Sequence, residues 1–458
     1  MGVNRSKLFL APGERGKSNN MTYADAIHYI EGALKFGINP SLERIGAICR
    51  ILGDPQLTYP TIQITGTNGK TSTTWMVSKL LSVSGLKTGC YTSPHLHSYR
   101  ERITIDGVLV TEGDFARTLE EILPAIEKVR LEYGELTEFE ILTAMAFHYF
   151  SRQEVDAAVF EVGLGGRWDA TSMVRPRVAA ITGISLDHTD RLGDTMEQIA
   201  WDKAHIIKSG CTAIIGDVPA GALEKIEERC ETLKVPTRIF GKDFGPRDIS
   251  IIKDEGALFS ISGLFSSYDN ILLPIFAGYQ VANFTMAVAI VEAFTGRKIP
   301  LSTVIDSLAG LSCPGRFEVI SKKPLIILDG AHNPDGIGML VRGLPEAFKF
   351  KNLFVVLAIS SDKDVEQILR LLAGYASLTV LTQNNSYRSA STDQLNDVAR
   401  YTGNSYIIEP DLEKAIDKAV LQASVEDLVC ITGSLYTVAD AREILINNHI
   451  ARKSAART

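Results

Sequence analysis

The sequence lacks the features that mark membrane, secreted and nucleic-acid-binding proteins. Within its 458 residues, no apolar run approaches the roughly 18–20 residues that span a bilayer. A net charge of −7 leaves no broad basic surface for nucleic acid. The six cysteines are scattered without a C-x-x-C pair, so we expect reduced, mostly buried thiols in a cytoplasmic protein. Internal repeats and low-complexity segments are also missing, so nothing points to a repeat protein.

Length and local composition suggest how the chain divides. Residues 1–20 contain only a very short apolar stretch, too short for a signal peptide, and we expect them to form a disordered tail. With 458 residues and a hydrophobic content of 45%, two or three domains with sizeable cores are expected. The polar segment Gly296–Pro300 resembles a junction, which predicts a central domain at 21–297 and a C-terminal domain at 298–458.

Both domains have α/β patterns. The first is predicted to have a central, mostly parallel sheet, whose strands include Thr61–Thr65, Thr88–Tyr91, Asp156–Val162 and Arg177–Ile184. Because a glycine-rich turn with the sequence G-T-N-G-K-T joins the first of these strands to a helix, the domain is predicted to be P-loop ATPase-like. A helix is predicted at Thr195–Lys208. The smaller second domain has strands near 324–329, 352–359, 377–382, 405–409 and 427–432 in regular alternation with helices, which predicts a Rossmann-like fold. Its first strand has no G-x-G-x-x-G after it, so a nicotinamide cofactor is not expected.

A glycine-rich turn between a strand and a helix is the most informative stretch. It consists of Gly66, Thr67, Asn68, Gly69, Lys70 and Thr71. The usual phosphate-binding pattern has a glycine five residues before Gly69, where this chain has Ile64, so the turn is a shorter G-T-N-G-K-T variant. Backbone N–H groups, the positive end of the helix and the charge of Lys70 suit phosphates, and a hydroxyl can reach Mg²⁺. The alternative is an ordinary glycine turn, which does not explain Lys-Thr at this position.

Polar side chains follow three further strands. Glu161 ends an apolar strand, and a carboxylate there is costly to bury unless it is paired or binds a metal, which favours Mg²⁺. Pro94 ends regular structure after another strand, so Ser93 lies in a loop at its carboxyl end, where open parallel sheets bind ligands. His188 lies just past a fourth strand between two aspartates, although spacing alone does not place it on Mg²⁺.

The G-T-N-G-K-T turn and the sequence after it resemble the Mur-ligase superfamily of ATP-dependent amide ligases. The likeness is greatest to dihydrofolate synthase/folylpolyglutamate synthase, over about residues 22–446. Two segments favour this folate branch, the T-S-P-H-L loop at 92–96 and the D-G-A-H-N-P segment at 329–334. A Mur ligase that adds an amino acid to a cell-wall precursor is the alternative within the same fold.

The resemblance implies roles for individual residues. ATP would contact the glycine-rich turn at 66–71 together with Asn283, Arg316 and Asp329. Two Mg²⁺ ions would be held by Thr71, Ser93, Glu161, His188 and Lys203, the last as a carbamate formed with CO₂. The catalytic residues would be Lys70, His188, Lys203 and His332, and the substrates would contact Arg44, Thr92, Pro94, His95 and Ser434. Without the resemblance, Lys203 would be interpreted as a surface lysine and Arg44 as part of an ordinary amphipathic helix.

The implied reaction joins L-glutamate to dihydropteroate, to folates, or to both. The γ-phosphoryl group of ATP would move to a substrate carboxylate, and the incoming amine would displace phosphate from the acyl phosphate. The expected partners are these small molecules alone, with no nucleic acid or membrane, and the protein is expected to be a monomer. From another class, a P-loop switch protein that hydrolyses ATP slowly remains an alternative, and it would show no dependence on glutamate and pteroate substrates.

Overall fold

The computed structural model describes residues 21–33, 41–253, 255–275, 278–311, 313–403 and 405–455. The tail predicted at 1–20 lies outside these ranges. The sequence also predicts two helical segments within residues 22–53 with a break at Gly37–Pro40, and this break lies outside the described ranges.

An eight-stranded sheet forms the centre of the first domain. Its strands are β1 (Thr61–Thr65), β2 (Thr88–Tyr91), β3 (Ile103–Ile105), β4 (Val108–Leu109), β5 (Ala157–Glu161), β6 (Pro176–Gly183), β7 (Thr212–Asp217) and β8 (Thr237–Ile239). They lie in the order β4-β3-β2-β5-β1-β6-β7-β8. The six strands from β2 to β8 in this order are parallel, and β3 and β4 form an antiparallel edge. The predicted mostly parallel sheet is therefore confirmed.

Ten helices of the described residues surround this sheet. They are α1 (Tyr23–Glu31), α2 (Glu43–Ile51), α3 (Lys70–Val83), α4 (Glu112–Tyr133), α5 (Glu138–Arg152), α6 (Thr189–Leu192), α7 (Met196–Lys203), α8 (Ala220–Leu233), α9 (Gly278–Thr295) and α10 (Leu301–Leu308). The helix predicted at Thr195–Lys208 is shorter, because a single 3₁₀ turn at Ala204–Ile206 follows α7. This turn brings Ile206 and Ile207 into a buried cluster.

Both faces of the sheet are covered by helices. Along β5, Val159 packs into a cluster with side chains of α3 and α9, whereas Phe160 packs into a cluster with side chains of α4 and α5. Successive side chains of a strand point to opposite faces, so a strand covered on both sides is apolar at most positions, as at residues 157–160. Helix α9 is itself buried over most of its length.

A separate antiparallel sheet packs beside α9. It contains β9 (Gly245–Ile252), β10 (Gly256–Ser262) and β11 (Ser267–Leu273), in the order β11-β10-β9. The sequence predicts short strands in this region but not their pairing into a sheet of their own. Pairing is decided by the neighbours that a strand meets in space, which a local pattern does not contain.

The second domain has a six-stranded sheet in the order β12-β13-β17-β14-β15-β16. Its strands are β12 (Glu318–Lys322), β13 (Leu325–Leu328), β14 (Leu353–Leu357), β15 (Leu378–Leu381), β16 (Tyr406–Ile408) and β17 (Leu428–Thr432). Its helices are α11 (Pro334–Ala347), α12 (Val365–Ala373), α13 (Thr392–Ala399), α14 (Leu412–Gln422) and α15 (Leu435–Ala455). The five predicted strands are confirmed. The antiparallel edge strand β12 was not predicted, because none of its residues is fully buried and its apolar pattern is weak.

The domain boundary at 297/298 stays a prediction. Helix α10, which lies beyond it, packs on α3, and its Val304 and Leu308 belong to the same buried cluster as α3 and α9. Cys313 belongs to that cluster as well. We therefore propose that the first domain extends to about Cys313.

Two further findings concern the predicted class of protein. All six cysteines are unpaired and buried, as the sequence predicts. Among the residues described, no helix combines the length and the hydropathy that a membrane crossing needs.

Candidate active site

The glycine-rich turn after β1 is held tightly against neighbouring segments. Gly69 has φ 84°, and a Cβ atom there would lie 2.5 Å from the side-chain oxygen of Asn283 on α9. A Cβ on Gly66 would collide with the hydroxyl of Thr182 on β6. Thr67 donates its backbone N–H to the Gly183 carbonyl at 2.8 Å. Both glycines are therefore required by close approach of the backbone to other groups.

Two lysines share one carbonyl oxygen in this turn. Lys70 Nζ donates to the carbonyl oxygens of Gly66 at 2.9 Å and Thr67 at 3.0 Å. Lys203 Nζ donates to the same Gly66 oxygen at 2.8 Å. Lys203 is only 4% exposed, so the alternative of a surface lysine is wrong. Burial and the nearby charge of Lys70 lower the pKa of Lys203 to about 7, and burial also lowers the pKa of Lys70.

The carboxyl ends of three strands meet at Glu161. Its Oε1 accepts a hydrogen bond from the Thr71 hydroxyl at 2.6 Å, and its Oε2 accepts one from the Ser93 N–H at 3.1 Å. Glu161 is 1% exposed. Burial raises the pKa of its carboxyl group, and the charge of Lys70 partly opposes that rise. The predicted neighbours Thr71, Ser93 and Glu161 are thus brought together.

These groups fit Mg²⁺ better than a metal with several side-chain ligands. Among the described residues, no group of three or more His, Cys, Asp or Glu side chains is arranged to hold a metal ion. Mg²⁺ does not need such a group, because it is usually held by one or two carboxylates, waters and phosphate oxygens. A buried carboxylate beside two hydroxyl-bearing residues and the glycine-rich turn meets that requirement.

His188 lies next to these groups, on the loop after β6. Its backbone is in the left-handed region, with φ 51° and ψ 41°, and its side chain is partly exposed. Burial lowers the pKa of its imidazole to about 4, despite the opposing charge of Asp187. The ring is therefore neutral at pH 7, which is the form that can bind a cation.

Asp187 connects the two domains. Its Oδ1 accepts a hydrogen bond from Lys363 Nζ at 2.6 Å, and its Oδ2 accepts one from Asn333 Nδ2 at 3.1 Å. His332 Nε2 lies 3.5 Å from Oδ2. The side chains of Asp187 and Lys363 are 8% and 9% exposed. Burial of the Asp187 carboxyl group raises its pKa. The hydrogen bond with His332 and the charges of His332 and Lys363 outweigh this effect and hold the pKa well below its usual range.

A cavity of about 800 Å³ lies between the domains at this point. Its lining includes the whole turn at 66–71 and the predicted residues Ser93, Pro94, Glu161, His188, Lys203, Asn283, Arg316, Asp329 and His332. The structure therefore gathers residues from both domains around one space, as expected for a nucleotide site at the carboxyl ends of parallel strands.

Two family descriptions match the chain. Residues 64–291 match the Mur ligase middle domain, and residues 315–435 match the glutamate ligase domain of Mur ligases. A dihydrofolate synthase/folylpolyglutamate synthase from Mycobacterium tuberculosis is 35% identical, over 92% of this chain and 90% of the relative.

The chain belongs to the dihydrofolate synthase/folylpolyglutamate synthase family of Mur ligases. The resemblance inferred from the sequence is therefore confirmed. A solved structure of Mycobacterium tuberculosis folylpolyglutamate synthase complexed with ADP aligns with a TM-score of 0.88 and 35% identity, over 92% of this chain and 98% of that one. An FPGS–AMPPCP–folate complex aligns with a TM-score of 0.83 and 30% identity, over 93% and 100%.

In this Mur ligase, Asp329 also organises the loop that would contact the nucleotide. Its carboxylate accepts hydrogen bonds from the N–H groups of Phe317 and Ala331, each at 2.8 Å, and from the Tyr279 hydroxyl at 3.1 Å. Burial raises the pKa of Asp329, and the charge of Arg316 opposes that rise. Through these hydrogen bonds the Asp329 carboxylate connects Tyr279 of α9 with Phe317 and Ala331 at the start of the second domain.

The predicted substrate residues are not all near the cavity. Thr92 and Pro94 line a second cavity of about 440 Å³, whereas Arg44, His95 and Ser434 line neither of these two cavities. Arg44 Nε pairs with Glu140 Oε1 at 3.0 Å. His95 Nδ1 accepts a hydrogen bond from Arg102 at 2.9 Å, and the Ser434 hydroxyl accepts one from the Thr437 N–H at 3.0 Å. Their substrate roles stay predictions.

Sequence reasoning missed the residues that connect the domains. Lys363 lies 176 positions from Asp187, and Asp335, which accepts a hydrogen bond from Asn68 Nδ2 at 2.9 Å, lies 267 positions from its partner. One sequence feature could have identified Lys363. It follows the predicted strand β14, and residues beyond the carboxyl end of a parallel strand often lie at the functional site.

The Asp187–Lys363 pair predicts an effect on domain separation. Changing Lys363→Met removes the charge and leaves Asp187 buried without its cationic partner, which is costly. We expect the domains to separate more readily, so that small-angle X-ray scattering gives a larger radius of gyration. Adding Asp187→Asn to this variant should increase the radius little further, because the pair with Lys363 is already lost and an asparagine oxygen can still accept the hydrogen bond from Asn333.

The matched control is Lys351→Met. It breaks an ion pair with Glu426 that is exposed and lies within the second domain, so its scattering should equal that of the wild type. Identical scattering from the Lys363→Met and wild-type proteins would show that the pair does not hold the domains together.

Proposed function

We propose that this protein joins L-glutamate to dihydropteroate, to folates, or to both, with conversion of ATP to ADP and phosphate. The observation that carries the proposal is the cavity between the domains, where the phosphate-binding turn and Glu161 face a domain that matches the Mur glutamate ligase domain. The solved FPGS complex with AMPPCP and folate, a structural neighbour, supports the same substrates.

In the proposed reaction, a carboxylate oxygen of the acceptor attacks the γ-phosphorus of ATP, and ADP leaves. The amine of glutamate then attacks the acyl carbon, loses a proton and displaces phosphate, which leaves an amide. Lys70 extends from the first turn of α3 and neutralises charge on the transferred phosphoryl group. His332 belongs to the second domain and lines the same cavity, and its Nε2 lies 3.5 Å from Asp187 Oδ2. From there it can contact the incoming glutamate.

A direct test measures ATP turnover with and without the two co-substrates. The proposal expects turnover to require both L-glutamate and either dihydropteroate or tetrahydrofolate, offered separately so that the products distinguish the two activities. Turnover that is indifferent to these substrates would instead support the switch protein. Turnover that requires a cell-wall precursor would support that branch of the Mur ligases.

We propose that Thr71, Ser93, Glu161 and His188 hold Mg²⁺, with two ions in the full site. Bound Mg²⁺ screens the negative charge of the phosphate groups. The hydrogen bonds of Thr71 and Ser93 to Glu161 support this assignment, because they bring oxygen donors from three strand ends together. The neutral imidazole of His188 is a softer ligand, and its assignment rests on the family resemblance.

The magnesium assignment predicts the behaviour of Glu161→Gln. This change keeps the shape of the side chain but removes its charge, so half-maximal activity should require at least tenfold more Mg²⁺. The apo protein should melt at the same temperature or higher, because burial already disfavours the charged carboxylate. An unchanged Mg²⁺ dependence in both Glu161→Gln and His188→Ala would contradict the assignment.

We propose that Lys203 reacts with CO₂ to form a carbamate. A neutral amine is needed for this step, in which nitrogen bonds to carbon and one proton is released. Its burial supports the proposal, since a lowered pKa leaves a large neutral fraction at pH 7. The resulting anionic group would replace a positive charge beside Lys70 and offer oxygen atoms to the second cation.

The carbamate predicts that Lys203→Arg is nearly inactive although it keeps the positive charge, because a guanidinium does not form a carbamate. Lys203→Ala should lose activity to a similar degree and recover part of it with acetate, which can fill the vacated space. Extra electron density beyond Nζ in crystals grown near neutral or basic pH is the direct observation. Normal activity of Lys203→Arg would overturn the proposal.

We further propose that the protein acts as a monomer in the cytoplasm and that domain closure gates the reaction. The six buried, unpaired cysteines support a reducing compartment. The division of the site between two domains supports gating, because residues on both sides must meet around the substrates.

A further inference from the structure

Three basic residues lie at the amino ends of β6 and β7, at the edge of the sheet opposite the glycine-rich turn. They are Arg175, which immediately precedes β6, Lys208, which lies in the turn before β7, and Arg229 on α8. β6 and β7 are parallel neighbours, and β6 has 8 residues. With a rise of roughly 3.3 Å per residue, these amino ends lie more than about 20 Å from the carboxyl ends of the strands. We call the three residues the basic cluster.

Backbone contacts hold the side chains of the basic cluster near one another. Lys208 Nζ donates to the carbonyl oxygen of Val174 at 2.7 Å, and Val174 is the residue before Arg175. Arg229 Nη2 donates to the carbonyl oxygen of Ile207 at 3.3 Å, and Ile207 is the residue before Lys208. The three cations therefore approach one another from α8 and from the segments that precede two neighbouring strands.

The part of the chain that the structure describes gives the basic cluster no carboxylate within 4.0 Å. The partners of Lys208 are the carbonyl oxygens of Ser172 and Val174. Glu228 precedes Arg229 but pairs with Lys225 at 2.6 Å. On α8, the positions three and four residues from Arg229 share its face of the helix, and none is acidic: they are Lys225, Ile226, Thr232 and Leu233.

The charge of the cluster is thus uncompensated. Burial lowers the pKa of the Lys208 ammonium group to about 8, and the charges of Arg175 and Arg229 lower it further than burial alone. The nearby thiol of Cys211 supplies no negative charge, because burial raises its pKa. Arg229 Nε is buried and has no hydrogen-bond partner among the described residues. Arg175 is exposed, so the cluster is open to solvent on one side.

We propose that the basic cluster is an anion site, separate from the glycine-rich turn, that binds a phosphate group through Arg175, Lys208 and Arg229. The group is either the free ion or the phosphate of a small phosphomonoester. Guanidinium groups match tetrahedral oxyanions through paired N–H donors, and an ammonium group adds a further charged donor. The bound anion would join α8 to the segments before β6 and β7. The proposal does not rest on the proposed ligase function.

The test titrates inorganic phosphate into the full chain by calorimetry at constant ionic strength. Lys70→Ala serves as the parent protein, because it weakens any phosphate binding at the glycine-rich turn. We expect one phosphate to bind this parent with a Kd of about 1 mM or lower. Adding Arg175→Gln or Arg229→Gln should weaken binding by about tenfold or more, since each removes a charged donor.

The matched control is Arg117→Gln on α4. Arg117 is exposed and, among the residues described, also has no ion pair, but it is not part of the cluster. Its Kd should stay within about twofold of the parent, because general screening of charge is the same. Binding that is equally strong in the parent and in Arg175→Gln would overturn the proposal, and so would a parent that binds no phosphate. Arg175 is exposed, so this variant keeps the test decisive if Arg229→Gln does not fold.

A second titration distinguishes the two sources of the phosphate group. Glycerol 3-phosphate that binds more tightly than inorganic phosphate would identify a phosphomonoester as the ligand. Equal or weaker binding of glycerol 3-phosphate would identify the free ion. Both results require the loss of affinity in Arg175→Gln, so neither can arise from another part of the surface.

Proton uptake supplies an independent signature of Lys208. With a pKa of about 8, this amine is partly neutral at pH 8, and a bound dianion favours its charged form. Binding at pH 8 should therefore take up protons. Sulfate is the probe, because it does not itself titrate near this pH, and calorimetry in two buffers of different ionisation enthalpy measures the protons. Sulfate binding without proton uptake would show that Lys208 does not contact the anion and would overturn the three-residue site.

Discussion

The carbonyl oxygen of Gly66 is the atom on which the arrangement of the active site depends. It accepts hydrogen bonds from two ammonium groups, Lys70 at the start of α3 and Lys203 at the end of α7. Neither lysine has a carboxylate as its direct hydrogen-bond partner in these contacts, because both ammonium groups donate to backbone carbonyl oxygens. Burial, together with the repulsion between the two ammonium groups, lowers the pKa of Lys203 to about 7. A glycine is needed at the centre because the turn approaches β6 too closely for any side chain.

Much of the fold and half of the site were predictable from local patterns. The strand–turn–helix at 61–83 and the β–α alternation of the second domain can be predicted from the spacing of apolar residues over short stretches of sequence. Glu161 could be identified because a carboxylate is unusual at the end of an apolar strand. In contrast, Lys203, Asn283 and Arg316 have no distinctive local pattern, and the family resemblance alone pointed to them.

What escaped prediction depends on partners that are distant in the chain. The pairing of Asp187 with Lys363 brings together positions 176 residues apart, and neither residue is exceptional in its own segment. Strand β12 and the antiparallel sheet of β9, β10 and β11 escaped for the same reason, since edge positions and pairing follow from tertiary contacts. For Arg44 and Ser434 the structure shows protein partners, and their predicted contacts with the substrates stay predictions.

The distribution of these contacts has a consequence for protein synthesis. Gly66, Lys70, Glu161 and Lys203 all lie in the first domain, and so do their direct contacts described above. Domains generally fold as units as the chain leaves the ribosome, the N-terminal one first. The part of the site that lies in the first domain can therefore be complete before the ribosome has made residue 363. Only the arrival of the second domain supplies Asn333, His332 and Lys363 as partners of Asp187, so the nascent chain can form the glycine-rich turn and its contacts well before the cavity between the domains exists.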